Sequence, residues 1–437
     1  MKKKYITVDD IKYQLANLRQ LTFEVTDACN LCCKYCAYGE FYNDYDKREN
    51  STISLSASLK LIDYLVDLWG SEYNTSAKRN VYISFYGGEP LLNMPFIESV
   101  VTYIEKLHCQ YRNFTFSMTT NALLLERHMD FLVAHDFNLL ISLDGDEYGT
   151  SYRVNKVGDP AYPNIIRNID VLRNKYPEFF ERKVNFNAVL HNRNSVTSIY
   201  HFFKTRYNKV PSIGELNNMG IRPDKVELFQ KTYRNSQESL HQAENYEKIE
   251  QDMFLKSATY QTLTNFLHQY SGFVFRSYVD LQYGKPKKTI PTGTCIPFGK
   301  RMFVTVTGKI LPCERIVRPY HAAKGSTVTG KILPCERIGQ QFALGKVTAD
   351  SGVELDLEAI ADKYNTYYAK MENQCSKCYK AESCIQCIFN LNNLDTCPVC
   401  YGFTSKQAFE IYKTKQIDFL RKHPEEYYRI MENVMVE

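Results

Sequence analysis

The sequence predicts an α/β protein in which a parallel sheet with crossover helices precedes a smaller cysteine-rich region. Over residues 18–210, short apolar runs alternate with amphipathic stretches at least five times. The loops of unusual composition in this part all follow predicted strands, which is where parallel sheets carry their chemistry. Nine of the fourteen cysteines lie within residues 291–402. An open doubly wound sheet and a complete or partial (βα) barrel both fit this alternation.

The individual elements follow from the spacing of apolar residues. Leu59, Ile62 and Val66 recur near helical spacing, and Gly70 can end the helix that contains them. The predicted strands are 21–25, 81–88, 114–121, 138–145 and 183–190. The predicted helices between them are 54–70, 95–108, 126–135, 163–176 and 195–207. Beyond them we predict a connecting region over 211–290 with helices near 238–256 and 260–269, a cysteine-rich unit over 291–402, and terminal helices within 403–437.

Composition bears on where the protein works and what it binds. The 437-residue chain has no apolar core behind its N-terminal lysines and therefore no secretory signal. It also has no apolar run of about 18 residues, so we expect no membrane span. We expect a reducing, cytoplasmic compartment, where cysteines indicate metal ligands or catalysts rather than disulfides. The net charge of +5 is mild and gives no argument for a nucleic-acid partner.

Four cysteines occupy eight positions after the first predicted strand: Cys29, Cys32, Cys33 and Cys36. They are too crowded for the two separated pairs of a structural zinc site. Cys29, Cys33 and Cys36 can instead hold three corners of a four-iron four-sulfur cluster, which leaves the fourth iron for a substrate. Cys32 then has no assigned role. A redox-active cysteine pair and a zinc knuckle are the alternatives.

The same loop resembles the signature of radical S-adenosylmethionine (SAM) enzymes, because Tyr35 precedes the last cysteine of a Cys-x3-Cys-x2-Cys pattern. GGEP at 87–90 looks like the family's motif that meets the methionine amino group. SLDG at 142–145, followed by Arg153, looks like the strand that contacts the ribose and carboxylate, and FNAVL at 186–190 resembles a strand near the adenine. By this resemblance the cofactor-binding residues are Tyr35, Gly87, Gly88, Glu89, Pro90, Ser142, Asp144, Arg153 and Val189.

Elementary chemistry agrees with these assignments. Gly87 and Gly88 let the backbone approach a ligand closely. Glu89 can accept a hydrogen bond from an ammonium group, and Arg153 can grip a carboxylate through two donors. A plain strand-to-turn junction for GGEP and a surface ion pair for Arg153 are the alternatives. The resemblance further implies a partial (βα)6 TIM-like barrel over 18–210, reductive cleavage of SAM to methionine and a 5′-deoxyadenosyl radical, and an external electron donor of the flavodoxin or ferredoxin type.

The second set of cysteines resembles the SPASM domain, a C-terminal extension of radical SAM maturases with two auxiliary iron–sulfur clusters. Within it twelve residues separate Gly308 from the first cysteine, and the pair Cys384 and Cys387 is separated by two residues where the family usually has three. One or two zinc sites are the alternative, and in either case we expect metal rather than a large core to order this unit. The resemblance implies Cys295, Cys313 and Cys387 as ligands of the first auxiliary cluster, and Cys375, Cys378, Cys384 and either Cys397 or Cys400 as ligands of the second.

A repeat complicates one ligand. The eleven residues VTGKILPCERI stand at 306–316 and again at 328–338. Two copies do not make a solenoid, so the repeat indicates a recent local duplication, an engineered feature or an assembly fault. Cys335 is therefore a rival to Cys313, or a fourth ligand of the first auxiliary cluster.

The resemblance predicts an enzyme but leaves its reaction open. The leading hypothesis is a maturase that closes a thioether or carbon–carbon cross-link in a ribosomally made peptide. The alternative is an anaerobic sulfatase maturase that forms formylglycine, with Glu314 (or Glu336) as a possible base. The third hypothesis is a non-catalytic metal-binding scaffold for a partner protein. Since about twenty residues precede the first strand, we expect no N-terminal leader-binding module, and a leader would bind elsewhere, on the 211–290 region.

Overall fold

One continuous sheet organises the molecule. The structure is a computed structural model of the chain. In the part that it describes, ten strands form a single sheet in the order β10-β9-β8-β7-β1-β2-β3-β4-β5-β6. The strands are β1 Gln20–Thr26, β2 Asn80–Gly87, β3 Asn113–Thr120, β4 Asn138–Ser142, β5 Val184–Leu190, β6 Ser212–Glu215, β7 Met302–Val304, β8 Lys309–Leu311, β9 Gly345–Thr348 and β10 Gly352–Glu354. The described residues are 4–42, 48–76, 78–107, 109–217, 221–254, 258–272, 274–275, 278–285, 290–291, 296–299, 301–312, 342–382, 384, 386, 388–391, 394, 396–400 and 402–433.

The strand order decides between the two architectures that the sequence allows. Strands β1 to β6 pair in parallel and in sequential order, without the reversal that defines a doubly wound sheet. The predicted partial (βα) barrel is therefore confirmed. Strand β7 adds to the other edge of β1 in parallel, and β8 to β10 extend that edge as an antiparallel meander.

Helices connect the parallel strands and cover the sheet. The five predicted strand–helix alternations are present, with bounds that shift by a few residues. The N-terminal helix α1 was missed. The helices are α1 Val8–Ala16, α2 Leu55–Trp69, α3 Met94–Lys106, α4 Leu125–Ala134, α5 Glu147–Thr150, α6 Tyr162–Lys175, α7 Pro177–Lys183, α8 Val196–Tyr207, α9 Val226–Thr232, α10 Ser236–His241, α11 Tyr246–Met253, α12 Ala258–Tyr270, α13 Tyr278–Tyr283, α14 Leu357–Cys375, α15 Lys406–Lys422 and α16 Pro424–Asn433.

The main core fills the space between the parallel strands and their helices. Phe23, Ile83 and Ile141 belong to it, come from three of the parallel strands and are fully buried. Helix α2 contributes Leu61, Leu65 and its other buried apolar residues, after Ser54 caps its first turn by accepting a hydrogen bond from Ala57. Because β1 to β6 are parallel, their carboxyl ends all lie at the same end of the sheet. No described helix is both long and apolar enough to cross a membrane.

The C-terminal region has more core than its sequence indicates. Helix α14 packs Tyr364, Tyr368 and Met371 into the same main core as the parallel strands. Metal alone therefore does not order this region. The helix was missed because tyrosines make up half of its buried face, which weakens the apolar period. Gly308 forms the turn between β7 and β8 with φ +80°, and a side chain there would lie 2.2 Å from the Val347 carbonyl oxygen.

Candidate cluster and cofactor site

The cysteine loop begins directly after β1. Cys29, Cys33 and Cys36 are half-buried, whereas Cys32 is exposed. Burial, to which the nearby Glu89 and Cys36 add, raises the pKa of Cys29 to about 11. Burial also raises the pKa of Cys33, to which Cys36 and Cys29 both add. Three thiols thus lie close enough to act on one another, and the predicted spare cysteine points to solvent.

This arrangement fits a cluster better than a single ion. Among the described residues, no three His, Cys, Asp or Glu side chains are placed to hold one metal ion. A four-iron four-sulfur cluster instead takes each thiolate on a different iron, so its ligands need not meet at one point. The donor set of Cys29, Cys33 and Cys36 is the one that such a cluster uses.

The loop is fastened along its length to the segment after β4. The Cys32 amide donates to the Val154 carbonyl oxygen at 2.7 Å, and the Lys34 amide donates to the Tyr152 carbonyl oxygen at 3.1 Å. A cleft of about 650 Å³ lies beside Cys29, lined by both segments and by the loops after β1 and β2. Backbone pairing therefore fixes the path of the loop before any ligand binds.

The two glycines of GGEP bring β2 against this loop. A Cβ atom at Gly87 would lie 2.2 Å from the Thr26 carbonyl oxygen, and one at Gly88 would lie 2.0 Å from that of Ala28. The Gly88 amide donates to Thr26 at 2.8 Å, and the Glu89 amide donates to Ala28 at 2.9 Å. The close approach that requires glycine here is between two backbones, where the sequence suggested an approach to a ligand.

Glu89 lies at the centre of the site with a side chain that is only 1% exposed. Its carboxylate accepts hydrogen bonds from the Thr120 hydroxyl at 2.7 Å, the Asn121 amide at 2.8 Å and the Leu91 amide at 3.2 Å. Burial raises the pKa of Glu89 to about 7, although these hydrogen bonds oppose the shift. Pro90 follows it as the first residue of a short 3-10 helix. The carboxylate is thus preorganised and poised to titrate near neutrality.

Arg153 is not a surface ion pair. Its Nε and Nη2 atoms each lie 2.9 Å from a carboxylate oxygen of Asp144, and both residues are buried. Asp144 also accepts hydrogen bonds from the Val189 amide at 2.9 Å and from the Tyr35 hydroxyl. The fork predicted to grip a ligand carboxylate therefore faces Asp144. Through Tyr35 and Val189, Asp144 also joins the cysteine loop and β5 to the end of β4. Ser142 is the last residue of β4, directly before this network.

Aromatic rings pack against the Asp144 network beside the cysteine loop. Tyr35 stacks on His191 with ring centroids 5.5 Å apart, and Tyr152 packs against the same imidazole at 4.8 Å. Burial lowers the pKa of His191 to about 4, so the ring is neutral at physiological pH. Asn194 donates to the backbone carbonyl oxygens of Asp144 and Val189. Tyr35 is therefore placed by the stacking of its ring on His191 and by the hydrogen bond of its hydroxyl to Asp144.

A second group of cysteines converges between α14 and α15. Burial raises the pKa of Cys400, and the neighbouring Cys384 and Cys378 add to the shift. Backbone amides of Thr404 and Gln386 approach the sulfurs of Cys378 and Cys384, each at 3.4 Å. Cys375 ends α14 next to them, and Cys397 is exposed. Of the two open choices, the geometry favours Cys400 as the fourth member of this group.

Several predicted residues lie outside the described part of the chain. They are Cys295, Cys313, Cys335, Cys387, Glu314, Glu336 and most of the repeat. The first auxiliary ligand set and the possible base therefore stay predictions.

The radical SAM superfamily model matches residues 23–202, which contain most of β1, the whole of β2 to β5 and every loop of the barrel site. Residues 23–202 belong to the radical SAM superfamily. The serine-type anaerobic sulfatase-maturating enzyme of Bacteroides thetaiotaomicron is 27% identical over 180 residues, which are 40% of this chain and 41% of that enzyme. The cysteine-type enzyme of Clostridium novyi is 29% identical over 197 residues, 44% of this chain and 49% of that enzyme. The chain thus matches less than half the length of these relatives.

The fold likeness extends further than the sequence likeness. Native anSMEcpe with bound AdoMet and Cp18Cys peptide shares the fold at a TM-score of 0.56, with 16% identity, over 95% of this chain and 99% of that one. Membership in the radical SAM superfamily implies a four-iron four-sulfur cluster and SAM. The cysteine loop and the buried Glu89 fit that pair of ligands, because they offer three thiolates beside a preorganised carboxylate.

Sequence reasoning assigned no role to part of the candidate site, although TTN at 119–121 stands out at the end of a predicted strand. Thr120 and Asn121, at the end of β3, hold Glu89 in place. His191 and Asn194, just after β5, support Tyr35 and Asp144. A signal for both pairs exists, because polar residues at strand carboxyl ends lie at the functional edge of a parallel sheet.

Proposed function

We propose that the chain is a radical SAM maturase that modifies a peptide or protein. The observation that carries the proposal is the meeting of three mutually close thiols with the buried carboxylate of Glu89 at the carboxyl ends of β1 to β3. The likeness to two sulfatase-maturating enzymes and to a peptide-bound structure supports a peptide or protein substrate.

Cys29, Cys33 and Cys36 would hold the cluster, and Glu89 would accept a hydrogen bond from the SAM amino group. When bound, the reduced cluster supplies the electron that cleaves SAM to methionine and a 5′-deoxyadenosyl radical, which takes a hydrogen atom from the substrate. The roles of Gly87, Ser142 and Val189 toward SAM remain part of the proposal. The electron comes from an external donor of the flavodoxin or ferredoxin type, in a reducing cytoplasm.

The C-terminal region is proposed to be a SPASM domain with two auxiliary clusters. Cys375, Cys378, Cys384 and Cys400 would hold one cluster, which the convergence of three of their thiols supports. The other cluster would be held by Cys295, Cys313 or Cys335, and Cys387.

We propose a cross-link in a ribosomally made peptide as the product. Closing a thioether or a carbon–carbon bond removes two hydrogen atoms from the substrate. One leaves in 5′-deoxyadenosine, and the other leaves as a proton and an electron. The auxiliary clusters are the proposed acceptor of the electron, and the proton goes to a base. Formylglycine formation on a sulfatase is the second candidate, which the two named relatives favour. In either reaction Glu314 is the proposed base.

The test is product analysis with the anaerobically reconstituted chain, SAM and a reductant. Substrates are a cysteine-containing peptide encoded beside the gene and a peptide carrying a sulfatase maturation sequence. A cross-link of either kind yields a product that lacks two hydrogen atoms and gives no fragments from within the bridged segment, and a thioether also resists thiol alkylation. Formylglycine yields an aldehyde that reacts with an aminooxy probe. The maturase proposal fails if SAM is cleaved but both peptides, and the proteins from the neighbouring genes, return unmodified.

A further inference from the structure

Asn121 connects the two halves of the proposed cluster site. Its backbone amide donates to Glu89 at 2.8 Å, while its side chain turns toward the cysteine loop. There Nδ2 lies 2.8 Å from the Asn30 Oδ1 and 3.9 Å from the Cys29 sulfur. The residue is 7% exposed, so these contacts are shielded from solvent.

The chain adopts an unfavourable conformation to place this side chain. Ala122, the next residue, has φ +64° and is completely buried. This left-handed conformation costs a residue with a Cβ atom about 1–2 kcal/mol. Asn168 holds the turn through two hydrogen bonds of 2.9 Å to the carbonyl oxygens of Ala122 and Leu123. Strain that neighbouring groups maintain so specifically is typical of functional positions.

The side-chain amide has a defined orientation. Its Oδ1 accepts a hydrogen bond from the Leu123 amide at 3.0 Å, which directs the Nδ2 donor group toward Cys29 and Asn30. An amide rotated the other way would place its oxygen against the Asn30 oxygen and the Cys29 sulfur. The site is therefore built to present N–H groups to this sulfur.

We infer that Asn121 is a positioning residue that donates to the Cys29 thiolate and raises the reduction potential of the SAM-binding cluster. Hydrogen bonds to cluster sulfurs stabilise the more negative, reduced form. Asn121 thus makes the cluster easier to reduce, and its backbone simultaneously fixes Glu89 for the SAM amino group. The inference rests on the proposed cluster at Cys29, Cys33 and Cys36.

The test is a redox titration followed by electron paramagnetic resonance. It uses the full chain with Cys378, Cys384 and Cys400 changed to Ala. These changes remove the resonance of the auxiliary cluster proposed between α14 and α15. Asn121→Leu removes the donor at similar volume, and Asn121→Asp keeps the size and the Leu123 contact but replaces the donor with an oxygen. Asn164→Leu, on the exposed face of α6, is the control for the same chemical change.

We expect unchanged iron content and a shift of the midpoint potential to more negative values in both Asn121 variants, and no shift in the control. Potentials equal to that of the control would overturn the inference, as would iron loss in Asn121→Asp, which would make Asn121 a residue for cluster retention alone. Failure of the proposed function is distinguishable, because the parent protein itself would then show no SAM-sensitive cluster signal.

Discussion

The two cysteine groups of this chain are held in different ways. The barrel loop is paired with the segment after β4 through Cys32 and Lys34, and the buried Asp144 holds Tyr35. In the described part of the group between α14 and α15, the Tyr379 amide donates to the Thr404 carbonyl oxygen at 3.0 Å, Gln374 contacts Cys400 at 3.4 Å, and the Asp144 network takes no part. A protein-organised site keeps its geometry without its ligand, whereas a site of loosely held thiolates takes part of its order from metal. The comparison therefore asks, for each cysteine group, how much of its order comes from protein contacts and how much comes from the bound cluster.

The largest expected effect separates the roles of the two groups. Changing Cys29, Cys33 and Cys36 to Ala removes the only described thiols that lie beside Glu89, so formation of 5′-deoxyadenosine from SAM should fall to background. Changing Cys378, Cys384 and Cys400 to Ala should leave this cleavage measurable but abolish peptide product. Chromatographic assay of 5′-deoxyadenosine and mass spectrometry of the peptide check both outcomes. SAM cleavage that survives the first set of changes would end the assignment.

The ligand choice in the second group is the next effect in size. Cys400→Ser removes a partly buried thiol that interacts with Cys378 and Cys384, so the reconstituted chain should lose about four irons. Cys397→Ser changes an exposed thiol three positions before Cys400 and is the matched control. Iron and acid-labile sulfide per chain are measured for both. Equal iron in both variants, or loss only in Cys397→Ser, would reverse the choice.

Breaking the buried ion pair should cost stability in the barrel. Asp144→Asn leaves Arg153 buried without its charge partner, and such a change destabilises a protein by about 3–5 kcal/mol. Glu227→Gln breaks the exposed pair with Lys231, which is worth about 0.5 kcal/mol or less. Urea unfolding of the barrel, followed by the fluorescence of Trp69, compares them. Similar unfolding midpoints would mean that the Asp144 network does not fasten the cysteine loop.

The smallest expected effect is a pH dependence. The pKa of Glu89 is raised to about 7, so below that pH the carboxyl is protonated and loses its attraction for the SAM amino group. SAM affinity should weaken as pH falls through 7, approaching about tenfold per pH unit well below it. Calorimetric titration of SAM over this range measures it. Glu89→Gln should bind weakly with little dependence on pH, and the exposed Glu98→Gln should follow the parent protein. A Glu89→Gln variant with the parent's pH dependence would exclude this role.

Sequence patterns predict the residues of the barrel site more completely than the residues that hold them in place. The order of Cys29, Glu89 and Arg153 along alternating strands and helices is visible in the sequence, because each follows a strand. The partner of Arg153 was not predictable, since an ion pair depends on how β4 and the turn after it place Asp144. Thr120 and Asn121 stand at a strand end without a distinctive motif of their own. Helix α14 was missed because tyrosines supply half of its buried face.

The most direct test of the account is the effect of SAM on the electron paramagnetic resonance spectrum of the reduced barrel cluster. The sample is the chain with Cys378, Cys384 and Cys400 changed to Ala, compared with the same chain that also carries Glu89→Gln. We predict a spectrum that changes when SAM is added, with a weaker response in the Glu89 variant. A reduced cluster whose spectrum SAM leaves unchanged, or the absence of any cluster at Cys29, Cys33 and Cys36, would contradict the account.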